Sequence, residues 1–475
     1  MTKWLEAALD YIPSWLEFQM RIFSQPGCVI AIAHRGKIVL ERAFGYADCS
    51  RGEPLTPRHR FRAASHAKSF AAAGILKLRE MGKLRLNDPV EKFVPDLDRD
   101  IARLRIFQVL CHGAGIIRDG ADCGYFYDRR PYPTANDLLT DFQSPPVIMP
   151  GTRFKYSNHG YGLLGLIIEA VTGETYASWI KREIVDSAGL KETAPDMPIA
   201  EGTPFARGHT DKVLVGKRGV IPGDYSTGAL APASGLVATA SDLASFFAQL
   251  SPRATSSVIS IASRRAMMRR RLRNLHSSVE NYYGFGMISG TVDGWNWFGH
   301  AGALQGYLSR TKMLPALDLT ICVLANSADA SAEQWINGAI HILHTFRRRG
   351  APSSKLNDWT GRWWGLWGAI DLVPMGNVVM VANPQMGNPF LDASELQVSS
   401  RDKARIRPSS GFLYLGEAAH RRRNEADRAS ELWLGGDKFL LETERAAEIE
   451  TQYFGNSGNM NRRAHERIDS AIPSR

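Results

Sequence analysis

The sequence predicts an α+β fold, in which an antiparallel sheet with flanking helices and a helical subdomain is followed by a small all-β barrel. Three observations support this prediction. A strand hairpin at residues 28–46 precedes a long, mostly helical middle, and strands return at residues 283–325. Strands at both ends of this stretch must meet in one sheet around a helical insert. After residue 350, short strands alternate with turns, a pattern typical of a barrel or sandwich.

The first hairpin and the helix that follows it have the clearest patterns. Residues 28–46 read CVIAIAHRGKIVLERAFGY, two strand-like runs joined by the turn Arg35-Gly36. Helical spacing of apolar residues extends from Ala64 to Met81 and ends near Gly82. Further helices are expected at 104–111, 136–142, 160–172, 176–187, 241–250 and 332–347, and further strands at 283–289, 294–300, 305–314 and 318–325.

Composition divides the chain into four regions. They are a first domain at 1–349, a linker at 350–357, a barrel domain at 358–454 and a polar tail at 455–475. Gly, Pro and Ser residues in the linker end the preceding helix. Barrel strands are expected at 359–373, 376–383, 394–399, 403–408, 411–417 and 430–443. Four tryptophans, Trp359, Trp363, Trp364 and Trp367, are expected to fill the barrel interior.

The charge and cysteine content restrict the partners that we expect. The chain carries 58 Lys and Arg against 48 Asp and Glu, but its arginine runs lack the interleaved aromatic residues of a nucleic-acid-binding surface. The five cysteines are irregularly spaced and form no Cys-x-x-Cys pair. His341 and His344 share a helical face without further ligands nearby. We therefore expect no nucleic-acid partner, no metal and no other cofactor.

The N-terminal residues and the hydropathy pattern bear on the location of the protein. Acidic residues Glu6, Asp10 and Glu17 interrupt the first apolar stretch, which argues against a secretory leader. No stretch of the sequence has the length and apolar character of a membrane span. A cytoplasmic protein without membrane contact is the expectation.

Ser65 and Lys68 form the first candidate for catalysis, at the start of the predicted helix. A helix N-terminus favours negative charge that develops on a serine oxygen. Lys68 lies three residues later and therefore on the same helical face, where burial can lower its pKa so that it accepts the serine proton. The same Ser-x-x-Lys spacing recurs at 178–181, 309–312 and 400–403, so the spacing alone decides nothing.

Two later motifs complete the candidate site. Tyr156-Ser157-Asn158 is the only Tyr-x-Asn among the 14 tyrosines and precedes a predicted helix. A tyrosine near a lysine ammonium can ionise more easily and act as a base, and an amide can orient lysine and substrate. In His300-Ala301-Gly302, at the entrance to a strand, the glycine permits close approach of a ligand, and the N–H of Ala303 can join that of Ser65 in an oxyanion hole.

The order Ser-x-x-Lys, Tyr-x-Asn, His-x-Gly closely resembles that of the penicillin-recognising serine hydrolases, a family that includes class C β-lactamases, D-stereospecific peptidases and family VIII esterases. The segments LRIFQVLCHGAGI at 104–116 and PASGLVATASDLASFF at 232–247 also resemble stretches of that family. The resemblance covers about residues 20–346 and implies a β-lactamase/transpeptidase-like fold. The barrel is similar to the lipocalin-like appendage of some peptidases of the family.

The resemblance also implies roles for the motif residues. Ser65 would be the acylated nucleophile, activated by Lys68 and Tyr156. Asn158 would position the substrate, and Ala303 matches the position whose backbone completes the oxyanion hole. His300 departs from class C β-lactamases, which carry lysine in a Lys-Thr-Gly motif. This departure disfavours β-lactam hydrolysis and favours the peptidase or esterase branch.

Other polar residues receive more modest interpretations. His66 is expected to form a pocket wall, and His112 to be structural. Four residues, Tyr125, Tyr127, Arg129 and Arg130, form either a substrate rim, where arginine would bind a carboxylate, or an exposed basic loop.

These observations predict a serine hydrolase that forms an acyl-enzyme on a small amide or short peptide, with a peptide containing a D-residue as first choice. The first alternative is a carboxylesterase of the same fold. A non-catalytic sensor that binds a ligand is the alternative from another class, although a sensor would not need the set Ser65, Lys68 and Tyr156. The exact substrate, its stereochemistry and the oligomeric state, including a homo-oligomer, stay open.

Overall fold

The computed structural model describes residues 1–275, 277–408 and 414–454. Its contacts divide the chain into two compact units. The larger unit comprises Met20–Asn337, and the smaller unit comprises Met1–Gln19 together with the described residues from Gly338 onwards. The predicted polar tail at 455–475 lies outside the described residues.

Eleven α-helices occur within the described ranges, together with shorter helical segments. The α-helices are α1 (Lys3–Ile22), α2 (Ala67–Glu80), α3 (Arg99–Ala102), α4 (Ile106–Leu110), α5 (Ala135–Asp141), α6 (Asn158–Thr172), α7 (Tyr176–Ile180), α8 (Ala240–Gln249), α9 (Ile261–Met268), α10 (Ala332–Arg349) and α11 (Glu442–Ile449). Short 3₁₀ segments lie at Val90–Lys92, Gly124–Tyr127, Gly228–Leu230 and Ser354–Leu356, and π-helical segments at Lys181–Asp186, Ala231–Gly235 and Glu450–Phe454. Within these ranges, no helix combines the length and apolar character that crossing a membrane requires.

An antiparallel sheet forms the centre of the larger unit. The strands of this unit are β1 (Gly27–His34), β2 (Lys37–Asp48), β3 (Glu53–Pro54), β4 (Phe61–Ala64), β5 (Gly208–His209), β6 (Val220–Ile221), β7 (Leu236–Ala238), β8 (Leu272–Arg273), β9 (Tyr282–Tyr283), β10 (Ile288–Val292), β11 (Trp295–Leu304), β12 (Tyr307–Leu314) and β13 (Leu319–Ala325). Nine of them pair in the order β3-β2-β1-β13-β12-β11-β10-β9-β8. Since β1 pairs with β13, the predicted meeting of both ends in one sheet is confirmed.

The predicted hairpin is present as β1 and β2. Arg35 and Gly36 connect the strands with φ angles of 52° and 75°, and left-handed residues at both centres of a two-residue turn match the twist of paired strands. The side chains of Val29, Ala31 and Ala33 alternate along β1 into the main hydrophobic core. Helix α8 packs against β1 and β13 and covers the sheet on one side.

The helix predicted from Ala64 to Met81 begins later than expected, because its first residues belong to a strand. Phe61–Ala64 forms β4, which pairs with β7 in a separate two-stranded ladder, so α2 starts at Ala67. Strand β4 forms because it pairs with a strand more than 170 residues away, so the local sequence gives no sign of it. The resulting strand–turn–helix arrangement determines where Ser65 lies.

The smaller unit contains the predicted barrel. Its strands β14 (Gly361–Gly365), β15 (Gly368–Met375), β16 (Val378–Ala382), β17 (Ser394–Val398), β18 (Lys403–Ile406), β19 (Ala418–Arg423), β20 (Ala429–Leu434) and β21 (Asp437–Leu440) form a closed barrel. Of the strand predicted at 411–417, residues 411–413 lie outside the described residues, and the strand observed in this region begins only at Ala418.

The four tryptophans of this unit do not share one environment. Trp359 and Trp363 are buried in the barrel core, as expected. Trp364 points to the other face of β14, since side chains alternate along a strand, and its ring lies 5.8 Å from that of Phe18 in α1. Trp367 lies in the turn between β14 and β15 and is 79% exposed, so its predicted place in the interior is wrong.

Candidate active site

Ser65 occupies the turn between β4 and α2. The preceding residue, Ala64, has a φ of 51°, in the left-handed region that non-glycine residues rarely adopt. This sharp change of direction is stabilised by a hydrogen bond from the His66 N–H to the Ala63 carbonyl, at 3.3 Å. The Lys68 N–H donates to the Ser65 carbonyl at 3.1 Å as the helix begins. Ser65 is consequently held half-buried at the start of α2.

Lys68 is fully buried beneath Ser65, with an exposed fraction of 0%. Its Nζ donates to Ser65 Oγ at 3.2 Å, to Asn158 Oδ1 at 2.7 Å and to the Ala233 carbonyl at 2.8 Å. All three acceptors are uncharged groups. Burial therefore holds the pKa of Lys68 well below its ordinary value, with Asp119 raising and Arg118 lowering that pKa to smaller extents.

Tyr156 lies on the other side of the serine oxygen. Its hydroxyl donates to Ser65 Oγ at 2.8 Å, and Lys68 Nζ lies 4.7 Å from the centre of its ring. Burial raises the pKa of Tyr156 above its ordinary value, even though the hydrogen bond to Ser65 lowers it. The expectation that Tyr156 ionises more easily is thus wrong in direction, because desolvation outweighs the neighbouring groups. The side chain is a phenol that carries its proton.

Asn158 is placed by the start of α6. Ser157 caps this helix, with its Oγ accepting from the Gly160 N–H at 2.8 Å. While Asn158 Oδ1 accepts from Lys68, its Nδ2 donates to Asp119 Oδ1 at 2.6 Å. The amide therefore connects the buried lysine to a carboxylate.

Strand β11 brings Gly302 and Ala303 to the end of β4. A Cβ atom on Gly302 would collide with the Ala63 carbonyl and with Ser309 Oγ. The glycine is therefore required for packing of β11 against β4, a reason that differs from the expected approach of a ligand. Ala303 follows it in the strand and is exposed.

His300 lies deeper in β11 and is 2% exposed. Its Nε2 is 2.9 Å from the Tyr283 hydroxyl, and its Nδ1 lies 2.7 Å from the Ala301 carbonyl oxygen and 3.0 Å from the Ala301 nitrogen. Burial holds the pKa of His300 well below its ordinary value, and the neighbouring His66 and Lys68 lower it further. The imidazole is uncharged at neutral pH, and the ring of its partner Tyr283 has its centre 6.5 Å from that of Tyr156.

Two further histidines are also buried. His66 contacts the Ala63 carbonyl at 3.1 Å and Thr311 Oγ1 at 2.9 Å, and burial lowers its pKa to about 3. His112 Nδ1 accepts from the Ser157 N–H at 3.2 Å, and its ring centre lies 4.4 Å from that of Tyr156. His112 therefore supports the Tyr156 ring and the start of α6.

The four residues considered for a substrate rim separate into two environments. Tyr125 is buried, with its hydroxyl donating to the Asp119 carbonyl at 3.0 Å. Tyr127 is exposed beneath the guanidinium of Arg129, and Arg130 pairs with Asp122 at 3.3 Å. Within the part of the chain that the structure describes, no group of three or more His, Cys, Asp or Glu side chains is arranged to hold a metal ion.

Three groups at the site were not predicted from the sequence. Asp119 and Tyr283 carry no recognisable spacing relative to the motifs, and both reach the site through loops or short strands. The Ala233 carbonyl lies in the segment 232–247 and accepts from Lys68 Nζ at 2.8 Å. A backbone acceptor depends on local geometry, so residue identity gives no signal for it.

Comparison with known proteins gives the family of the chain. The family model "Beta-lactamase" matches residues 20–341. The chain is 33% identical over 184 residues to Protein flp of Staphylococcus aureus (strain NCTC 8325 / PS 47), covering 35% of each chain. It is 32% identical over 173 residues to Penicillin-binding protein 4* of Bacillus subtilis (strain 168), covering 35% of this chain and 37% of that one. The matches thus span about a third of the length of these curated relatives.

Solved structures have the same fold. The octameric penicillin-binding protein homologue from Pyrococcus abyssi has a TM-score of 0.64 at 24% identity, covering 91% of this chain and 99% of its own. D-amino acid amidase from Ochrobactrum anthropi SV3, complexed with L-phenylalanine amide, has a TM-score of 0.61 at 21% identity, covering 72% and 99%. The family match covers most of the chain and shows that this protein belongs to the Beta-lactamase family.

Proposed function

We propose that the protein hydrolyses a small amide or short peptide that contains a D-residue, through an acyl-enzyme on Ser65. The observation that carries this proposal is the contact between Ser65 Oγ and a fully buried lysine whose acceptors, among the described residues, are uncharged. With its pKa held well below the ordinary value, Lys68 has a larger uncharged fraction near neutral pH. An uncharged amine can accept the serine proton.

Acylation follows from the positions of Lys68 and Tyr156. Lys68 Nζ accepts the Ser65 proton while Oγ forms a bond to the carbonyl carbon of the substrate. The backbone N–H groups of Ser65 and Ala303 hold the resulting oxyanion. Tyr156 then gives its phenol proton to the leaving nitrogen as the C–N bond breaks, and the Lys68 ammonium returns a proton to Tyr156. The close packing of Gly302 on the Ala63 carbonyl supports a shared role for these two N–H groups, because it brings the neighbouring residues Ala303 and Ser65 to the same place.

Deacylation uses the same groups with water as the nucleophile. Lys68 accepts a proton from water while the water oxygen bonds to the acyl carbon. The ester bond breaks, and Ser65 Oγ recovers a proton from Tyr156, whose hydroxyl lies 2.8 Å away. The Lys68 ammonium reprotonates Tyr156. Each cycle consumes one water and restores every side chain to its starting protonation state.

Two considerations favour an amide over other substrates. An amine leaving group requires a proton, and the phenol of Tyr156 bears one next to Ser65 Oγ. A structural relative is named a D-amino acid amidase, which supports amides of D-residues as the first substrates to test. Because His300 is uncharged, it offers no cation to a carboxylate near the scissile bond, so we expect poor β-lactam hydrolysis.

The test begins with a fluorophosphonate probe. Intact-protein and peptide mass spectrometry should place the phosphonyl group on Ser65, and Ser65→Ala should lose both labelling and turnover while its unfolding midpoint stays near that of the unaltered protein. A panel of matched D- and L-amino acid amides, dipeptides and carboxylic esters then ranks kcat/KM. A higher kcat/KM for the esters than for the amides would support the alternative that the protein is a carboxylesterase. Absence of labelling, with retained ligand binding, would support a non-catalytic sensor.

We also propose that the chain forms a homo-oligomer. Support comes from the Pyrococcus abyssi homologue, which is described as octameric. Size-exclusion chromatography with light scattering measures the mass directly, and a particle of 52.6 kDa at all concentrations would contradict this proposal.

A further inference from the structure

We propose that Asp119 is a positioning residue for Lys68: its carboxylate holds the Asn158 amide with the oxygen toward the lysine, and Arg118 opposes its charge. This inference rests on the proposed function, because it concerns how the Ser65 nucleophile is activated. Asp119 belongs to none of the three motifs. The contacts around Asn158 and the charges around Lys68 support the proposal independently.

The first line of support is the direction of the Asn158 amide. An asparagine side chain has one accepting end and one donating end. Nδ2 donates to Asp119 Oδ1 at 2.6 Å, and Oδ1 accepts from Lys68 Nζ at 2.7 Å. A reversed amide would place its oxygen against the Asp119 carboxylate, which is a repulsive contact, and would remove the oxygen that now accepts from Lys68 Nζ. The carboxylate of Asp119 thereby keeps the acceptor on Lys68.

The second line of support is the set of charges near Lys68. The titratable and charged groups that surround it are Tyr156, Tyr161, His112, His300, Asp119 and Arg118. Burial keeps the two tyrosines protonated, since it raises their pKa, and keeps the two histidines uncharged, since it lowers their pKa. Among the described residues, Asp119 and Arg118 are thus the charged groups whose fields act on the lysine.

Asp119 and Arg118 act on Lys68 in opposite directions. The Asp119 carboxylate favours the ammonium form of Lys68, and the Arg118 guanidinium disfavours it. Arg118 Nε lies 3.1 Å from Asp119 Oδ2, and its side chain is 62% exposed. The Tyr125 hydroxyl fixes the Asp119 backbone from beneath, at 3.0 Å. An ion pair at the edge of the site therefore adjusts how readily the buried lysine gives up its proton.

The experiment measures the rate of fluorophosphonate labelling across pH, which needs no known substrate. Labelling requires uncharged Lys68, so the rate rises with pH through the pKa of the lysine. We call this rising part of the pH–rate profile the acid limb. Asp119→Asn preserves the shape of the side chain but removes its charge, and should move the acid limb to lower pH by about one unit. Its plateau should fall about tenfold, because the amide is held less firmly. Arg118→Gln should move the limb to higher pH.

Asp122 and Arg130 provide a matched control, because they form an exposed ion pair in the same loop. Asp122→Asn and Arg130→Gln should leave both limb and plateau in place. The proposal would be overturned if the acid limb keeps its pH position in both Asp119→Asn and Arg118→Gln, or moves in the same direction in both. This holds even if Ser65 is labelled normally. Absence of labelling in the unaltered protein would instead refute the proposed function.

Discussion

Two buried lysines of this chain share the same local sequence pattern and have different surroundings. Lys68 and Lys312 each follow a serine by three residues, and their exposed fractions are 0% and 2%. In the described part of the chain, the acceptors of Lys68 are uncharged, whereas Lys312 Nζ lies 2.7 Å from Glu333 Oε1. Burial lowers the pKa of both lysines, and at Lys312 the Glu333 carboxylate offsets part of that effect.

The secondary structure explains why only one of these pairs meets. Ser65 lies in the turn that leads into α2, where the Lys68 N–H donates to the Ser65 carbonyl, and Lys68 Nζ reaches Ser65 Oγ at 3.2 Å. In β12, residues three apart point to opposite faces of the sheet. Ser309 Oγ accordingly donates to the Ala63 carbonyl at 3.0 Å, away from Lys312. Of these two Ser-x-x-Lys pairs, the helical one therefore places the lysine amine next to the serine oxygen. Burial beside uncharged acceptors then lowers the pKa of that lysine, so that it can act as a base.

The largest expected effect separates the two lysines directly. Lys68→Met should lower the labelling rate of Ser65 by about 10²–10⁴, the usual contribution of a general base. Lys312→Met is the matched control and should label at close to the rate of the unaltered protein. Stopped-flow labelling with a fluorescent fluorophosphonate measures both. Comparable losses in the two variants would mean that Lys68 acts through the fold rather than through proton transfer.

A second change gives Lys68 the kind of partner that Lys312 has. Asn158→Asp, made together with Asp119→Asn so that two carboxylates do not meet at the 2.6 Å contact between these residues, places a carboxylate where Lys68 now finds an amide oxygen. A nearby carboxylate favours the ammonium form. The pKa of Lys68 should rise, so the acid limb of labelling should move to higher pH by about one to three units. Each unit reduces the rate tenfold at pH values below the limb. A labelling profile that stays in place would contradict the uncharged form of Lys68 as the base.

The smallest effect on the reaction is expected when Lys312 loses its carboxylate partner. Glu333→Gln removes the carboxylate that pairs with this buried lysine, at a cost of about 1–3 kcal/mol in the free energy of unfolding. Urea unfolding measures that cost. The pH profile of Ser65 labelling should be unchanged, since Lys312 does not contact Ser65. A shifted profile would show that the two lysines are coupled through the sheet.

Much of the fold was accessible from the sequence, because its strongest elements are periodic. The hairpin β1–β2, the long helices and the alternating barrel strands all carry their own apolar pattern. Elements that depend on distant partners were not accessible. Strand β4 pairs with β7 across the helical insert. Helix α1 up to Gln19 belongs with the barrel unit, where the Tyr11 hydroxyl donates to Asp371 Oδ2 at 3.0 Å.

For the candidate site, the order of three motifs was sufficient to select Ser65, Lys68, Tyr156 and Asn158, and the structure brings these four side chains together. The direction of the Tyr156 pKa was not predictable, because it depends on how completely the phenol loses contact with water. Trp367 shows the same limit in the barrel, since the alternation that buries Trp363 ends at a turn.

The sequence by itself determined the types of side chain available, their spacing and the helix that aligns Ser65 with Lys68. Only the tertiary structure decided what surrounds them: the Asp119 carboxylate one amide away from the lysine, the Ala233 carbonyl against it and Tyr283 on His300. The physical reason is that a hydrogen bond or a charge acts over a few ångströms in space, whatever the separation along the chain. Desolvation likewise depends on every segment that packs over a group, so the chemistry of a lysine is set by the fold.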